Sequence, residues 1–392
     1  MMMRGSLKYA VPFLCILLTG CAKAPLQAWV DDFADAPWAA DPSLKVPVLF
    51  NTGGASFGTK AALESMEGVQ FGILALDLGE TAQEGWTDND DWQILLDGKA
   101  AYARDGQASF IERVADQVVP VSYYYPLETF ADNDDSVEDR RYTFFGYRTS
   151  DVPLEDDATV FDLDFDGTHF TKTVQIDTTD IIWASASCDT LRKEDGSAWA
   201  LGYNSDFSRT ARKWYPASWR SYMPTLHFRH LTAALHFVIY AADAEAEASF
   251  TGASGEALVT VSGLQVSSLP TRATLDVVGG VLTADEESIG TLTPGDVHVM
   301  PLAAGAEFGN GLFVVPTADD IFVSFTLNTP VGTYTPAQPY KVSVQGGLIA
   351  GKSYTFRIVV QSLESVIINV ELQPWEPAEN LSEEDSLIAN LG

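Results

Sequence analysis

Two sets of residues in this 392-residue chain have types and spacing that could bind a metal. Asp162-x-Asp164-x-Asp166-Gly167 has the opening spacing of a calcium loop, where alternate carboxylates converge on one cation. The twelfth position, which should supply a bidentate Glu, is Thr173. Phe161, Leu163 and Phe165 alternate with the aspartates, so the stretch fits a strand with an acidic outer face better than a cation site. His227, His230 and His236 suggest zinc, but no HExxH spacing and no Cys pair accompanies them. In a strand, positions 227 and 230 would face opposite sides. No metal and no cofactor is therefore expected. Carboxylates are plentiful, yet a glycosidase pair is defined by its separation in space, which spacing in the chain does not give. There is no G-x-S-x-G, P-loop or dinucleotide fingerprint, so the expectation is a protein that is not an enzyme.

Cys21 is a different kind of reactive group. Arg4 and Lys8 precede an apolar run from Tyr9 to Leu18, and Leu18-Thr19-Gly20-Cys21 closes it. That order of charge, apolar run and small residues is a secretory signal. The run is about half the ~20 residues a spanning helix needs, and Pro12 interrupts it. The Leu-x-Gly-Cys ending resembles the lipobox of bacterial lipoproteins, which implies cleavage before Cys21 and acylation of it. Two or three acyl chains bury enough CH₂ groups to hold a protein on a bilayer. Cys15 leaves with the signal, so Cys188 alone remains, and it follows the apolar run Ile181–Ala186. One thiol makes no internal disulfide and no Cys metal cluster, and a quiet buried thiol is expected.

The whole chain has 23 Lys and Arg against 54 Asp and Glu, a net charge of −31. Without Arg4 and Lys8, the remainder carries 21 cations against 54 anions, net −33. Phosphate backbones demand the opposite balance, so nucleic acid is excluded as a partner. Removal of residues 1–20 leaves 372, too many for one ordinary core, and two domains are expected.

Residues 21–45, rich in proline and aspartate, read as a tether. Val46–Phe50 reads as a first strand, a Gly-rich loop follows, and Val69–Leu76 is a second strand. Short β-rich runs then alternate with acidic turns, among them Gln117–Tyr125, Tyr142–Tyr147, Thr159–Phe165 and Thr173–Ile176. Short helices are expected at Thr59–Met66 and Phe110–Gln117. Residues 187–224 form a basic and aromatic island, with Trp199, Trp214 and Trp219 among Arg209, Arg212, Lys213 and Arg220. The island fits a domain junction; alternatively, its flat rings could stack on sugars.

Strand patterning resumes at Leu226–Tyr240 and recurs at Leu258–Val266, Thr274–Val278, Val297–Pro301, Ile321–Leu327, Tyr340–Val344 and Tyr354–Val360. In the last run Val366, Ile368, Val370 and Leu372 share one face, as a half-buried strand requires. The expected divisions are a signal (1–20), a tether (21–45), an N-terminal domain (46–200), a linker (201–224), a C-terminal domain (225–376) and an acidic tail (377–392), which reads as mobile. Both domains are expected to be all-β, as Greek-key sandwiches of short antiparallel strands.

The assembled residues resemble the fimbrillin-like family of surface lipoproteins from Gram-negative anaerobes. Beyond the lipobox, the likeness rests on GTKA at 58–61, FGILAL at 71–76, VPVSYYYPL at 119–127 and RRYTFFGYR at 140–148. It continues through DIIWASA at 180–186, LHFRHLTAALHFVIY at 226–240 and GGLIAGKSYTFRIVV at 346–360, closing at Trp375. The resemblance implies two tandem transthyretin-like sandwiches at the outer membrane and cell surface, in a fimbrium or as an accessory adhesin. It also implies proteolytic removal of an N-terminal segment that includes the first strand. Val46, Val48 and Phe50 would leave, opening an edge for a strand from another subunit. Val366–Leu372 is the candidate donor. No arginine lies between Cys21 and Arg104, so Lys60 and then Lys45 are the candidate cleavage positions. Implied partners are other fimbrial subunits, the outer membrane through the acyl anchor, and host or bacterial surface ligands. The alternative is a stand-alone carbohydrate-binding outer-membrane lipoprotein of a nutrient-uptake system, with Trp199, Trp214 and Trp219 as glycan contacts.

Overall fold

A computed structural model describes residues 47–53, 66–77, 93–124, 142–186, 225–362, 365–374 and 388–389. The first strands are β1 (Phe50–Gly53), β2 (Gln70–Asp77), β3 (Gln93–Arg104), β4 (Gln107–Val114), β5 (Gln117–Pro120), β6 (Tyr142–Arg148), β7 (Asp164–Phe165), β8 (Phe170–Gln175) and β9 (Ile182–Ala186). They are followed by β10 (Thr225–His227), β11 (Arg229–His230), β12 (Ala233–Ala241), the one-turn helix α1 (Ala244–Ser249), β13 (Thr260–Pro270), β14 (Arg272–Asp276), β15 (Val281–Ala284) and β16 (Ile289–Leu292). The last are β17 (Ala306–Glu307), β18 (Leu312–Val314), β19 (Ile321–Thr329), β20 (Gly332–Tyr334), β21 (Tyr340–Val342), β22 (Lys352–Ser362), β23 (Ser365–Pro374) and β24 (Ile388–Ala389). The protein is all-β, as its alternation requires. Among the described residues, no helix is long and apolar enough to cross a membrane.

The first sheet runs β10-β1-β4-β3-β2-β6-β9-β11, with β5 beside β4. Its two ends, β10 and β11, are separated in the chain only by Phe228, so one short segment joins both edges and the sheet closes into a ring. Phe71, Ile73 and Ala75 of β2 point into the ring with Val48, Phe50, Phe110, Phe144, Leu226 and Phe228. Leu74 and Leu76, at the alternate positions, join a larger core that continues into the rest of the molecule. FGILAL thus has apolar residues on both faces because both faces are covered.

That larger core fills the space between two further sheets, β17-β12-β22-β23-β24 and β16-β13-β19-β20. Leu235, Phe237 and Ile239 of β12 and Phe356 and Ile358 of β22 meet Val261, Val266, Val323 and Phe325 in it. A fourth sheet, β15-β14-β8-β7, takes β7 and β8 from before the island and β14 and β15 from after it.

Several local expectations are corrected by pairing. Phe110–Gln117 is not helical: β4 and β5 form a hairpin turning at Ala115, whose φ of 57° is the left-handed geometry such a turn needs. Cross-strand pairing overrides the local helix preference of this stretch. Of Thr159–Phe165, only Asp164–Phe165 is strand; residues 154–161 are mostly turn, with the Asp157 carboxylate accepting from Thr159 N–H at 2.8 Å. Val297–Pro301 contributes only an isolated bridge, Val261 to Val299. The first strand begins at Phe50 and extends to Gly53, later than the Val46–Phe50 run. The strands are not all antiparallel: β12 runs parallel to β22, and β1 parallel to β10. Within the acidic tail, Ile388–Ala389 pairs with β23. Thr59–Ala61 and the other loop residues through Ser65 lie outside the described residues.

Candidate functional site: the slot of the first strand

Residues 47–53 are held by three neighbours in succession. Pro47 bridges Tyr124, and Val48 N–H donates to Tyr123 C=O at 2.9 Å. Phe50 and Asn51 pair antiparallel with Ala108 and Gln107 of β4. Asn51, Thr52 and Gly53 pair in parallel with Thr225, Leu226 and His227 of β10. Thr52 N–H also donates to Gly106 C=O at 2.8 Å. Gly106 belongs to the Asp105-Gly106 turn, where both residues have positive φ (52° and 75°), the geometry that favours Asp-Gly in tight hairpins.

Alternation then places Val48, Phe50 and Thr52 on the inner face, where all three are buried. The Phe50 ring meets Phe144 edge-on at 4.9 Å and Phe110 at 5.7 Å. Phe110 in turn meets Tyr123 at 4.9 Å. The Tyr123 hydroxyl donates to the Glu112 carboxylate. Burial, and then that carboxylate, hold the phenol well above its ordinary pKa, so it stays a neutral donor. Burying Val48 and Phe50 is worth on the order of 1.5–3 kcal/mol each, and aromatic edge contacts add to that. The slot can do one thing chemically: take an extended strand with apolar side chains at alternate positions and hydrogen-bond it on both edges.

The other proposed positions are distributed as follows. Val48 and Phe50 are in the slot; Val46, Lys45, Lys60 and Cys21 lie outside the described residues, as do Cys188, Trp199, Trp214 and Trp219. Val366, Ile368 and Val370 share the inner face of β23 as patterned, while Ile367 and Asn369 are exposed. Leu372 pairs with Tyr354 of β22. β23 is bonded to β22 along its whole length, so donating it would break that ladder; β24 is its outer neighbour.

The aspartates and histidines are used structurally. Asp166 caps the β7–β8 turn, accepting from the N–H groups of His169 at 2.7 Å and Thr168 at 2.8 Å. Lys172 donates to the carbonyls of Asp162 (2.7 Å) and Thr159 (3.1 Å), placing a cation where calcium would need oxygens. His227 is exposed and His230 buried, with His230 Nδ1 2.8 Å from the Asp180 carboxylate. His236 lies on β12, and burial lowers its pKa against the pull of Glu307. Among the described residues, no group of three or more His, Cys, Asp or Glu could hold a metal ion.

Sequence reasoning missed two features. One is β10 as the parallel partner of β1, which no local pattern announces. The other is Trp183 on β9. Its indole N–H donates to Val277 C=O at 2.7 Å, and Arg229 lies over its ring at 4.8 Å. Only the DIIWASA run hinted at it.

The sequence signature of the fimbrillin-like family matches residues 138–375. This chain belongs to the fimbrillin-like family. The match begins downstream of the slot strand and ends at Trp375, short of the acidic tail. None of the curated protein sequences matches the chain. Among solved structures, a protein provisionally assigned to cell adhesion in Bacteroides uniformis is similar at 14% identity and TM-score 0.44, covering 86% of this chain and 100% of its own. A fimbrial assembly protein of Parabacteroides distasonis is similar at 10% identity and TM-score 0.34, covering 84% and 95%. A C-terminally truncated tip fimbrial protein of Porphyromonas gingivalis is similar at 8% identity and TM-score 0.31, covering 85% and 100%.

Proposed function

We propose that this fimbrillin-like protein is a cell-surface fimbrial subunit or accessory adhesin, with no catalytic role. It is exported as a lipoprotein acylated at Cys21, reaches the outer membrane, and joins other fimbrial subunits by strand exchange. The family match over residues 138–375 carries this reading.

The slot supplies a physical route. Loss of residues up to Lys60 would remove Val48 and Phe50 from a ring of aromatic side chains and leave the facing edges of β4 and β10 unpaired. Unpaired N–H and C=O groups beside an apolar groove are a template for an incoming strand. The donor would come from the C-terminal end, where β23 carries the alternating Val366–Leu372 run and β24 lies outside it.

The test is to trim the purified protein at Lys60 and measure its size distribution. A ladder of oligomers is expected, absent in the untrimmed protein. A strictly monomeric trimmed protein would sink the strand-exchange step. Intact-mass analysis of protein from native envelopes reads the anchor: an acylated Cys21 start means the chain stays tethered, and an unlipidated start near Ala61 means it is released for assembly.

A further inference from the structure

The segment 225–230 does two jobs within six residues. Thr225–His227 is the parallel neighbour of β1, and Arg229–His230 is the antiparallel neighbour of β9. Leu226 and Phe228 fill the ring interior, where Phe228 meets Phe71 edge-on at 5.1 Å. Gly146 is held close beneath them: a Cβ there would lie 2.8 Å from the Phe228 ring. The Arg229 side chain points the other way and reaches the next part of the molecule. Arg229 stacks on Trp183 and donates to Gly280 C=O at 3.2 Å. Gly280 lies against the Trp183 ring so closely that a Cβ would come within 2.7 Å of it. His230 binds Asp180, and Leu231 N–H donates to Ile181 C=O at 2.9 Å.

The turn at 277–280 is the tip of the β14–β15 hairpin, and β14 pairs with β8 over five positions. Val277 N–H also donates to Phe170 C=O at 2.9 Å. Residues 225–230 therefore connect the occupied slot to a hairpin of the fourth sheet through a continuous series of contacts, from the β1 pairing through Phe228 to Arg229, Trp183 and Gly280.

We infer that occupancy of the first-strand slot and closure of the Trp183–Arg229–Gly280 contact are energetically coupled, with residues 225–230 as the coupling element. Loosening β1 removes the hydrogen bonds that fix β10. Through Phe228, that freedom reaches Arg229 and the grip on the hairpin turn. Because coupling between two equilibria is reciprocal, loosening the Arg229 contact must also loosen β1. The inference does not depend on polymerisation: it holds for the intact chain whether or not a strand is ever exchanged.

Amide hydrogen exchange on the full-length protein tests both directions. Val48→Ala weakens the slot without touching the hairpin, and exchange is expected to rise at least about threefold at 225–230 and at 277–280. Arg229→Ala releases the hairpin turn, and exchange is expected to rise by a similar factor at 50–53. Arg272→Ala, which removes a half-exposed ion pair with Asp285 at the other end of the same hairpin, should leave 50–53 unchanged. Two results would overturn the coupling. One is an increase confined to the mutated site. The other is a uniform increase that includes β19 and β22, which would mean general destabilisation. Failure of the trimmed protein to oligomerise would leave these exchange results untouched, so the two claims fall separately.

Discussion

The ring of the first sheet and the two-sheet core behind it bury the same kinds of side chain but are kept shut differently. The ring closes on itself through hydrogen bonds: remove β1 and both β4 and β10 lose a neighbour. The core of β12, β22, β13 and β19 closes by face-to-face packing; β12 and β22 pair at eight positions, β22 and β23 at ten, and β13 and β19 at six. Long ladders distribute the loss of any one strand. A ring with one four-residue member concentrates it.

The largest test of that difference is a pair of truncations at matched burial. Phe50→Ala and Phe325→Ala both delete a fully buried ring, and each should cost about 3–5 kcal/mol in denaturant unfolding. They should part company in exchange measurements. Phe50→Ala should free residues 225–227 selectively, whereas Phe325→Ala should leave them protected. If Phe325→Ala frees β10 equally, the ring has no separate closure.

A smaller effect comes from overpacking the seam. Gly146→Ala drives a methyl group into the Phe228 ring and should cost about 1–3 kcal/mol. Gly106→Ala meets nothing within 4 Å but holds a φ of 75°, so its penalty is conformational and nearer 1 kcal/mol. Equal penalties would mean that the seam is looser than the packing of Phe228 against Gly146 implies.

The smallest effect is titration of the β7–β8 turn. The N–H groups of His169 and Thr168 hold the Asp166 carboxyl below the ordinary carboxylate pKa. A depressed folded-state pKa means the contribution is present above the unfolded value, near 4, and is lost as pH falls through the folded one. Amide resonances of Thr168 and His169 should therefore move only below the usual carboxylate range, with those of residues 50–53 unaffected. Movement of both together would tie the slot to the acidic turn and break the comparison.

Much of the fold was legible. Period-two alternation located β19, β22 and β23, because a strand with one wet face must alternate. The family followed from ordered pieces such as LHFRHLTAALHFVIY, not from a reactive cluster. The slot was legible only as a run, Val-Pro-Val-Leu-Phe; which residues would border it was not. Phe110–Gln117 reads as helix because its local composition does not reveal the Ala115 turn that makes a hairpin of it. The missing Glu at position 173 already sets Asp162, Asp164 and Asp166 apart from a cation loop; that Lys172 donates to the carbonyl of Asp162, ten residues away in the chain, depends on how β8 folds back.

The sequence alone determined the all-β character and the spacing of apolar faces, since each follows from residue type at short range. Only the tertiary structure decided that β1 lies parallel to β10, that residues 225–230 close the ring, and that Trp183 grips a turn 94 residues away. Those pairings are set by which surfaces can be buried together once the strands exist. That is a property of the packed chain and of no stretch within it.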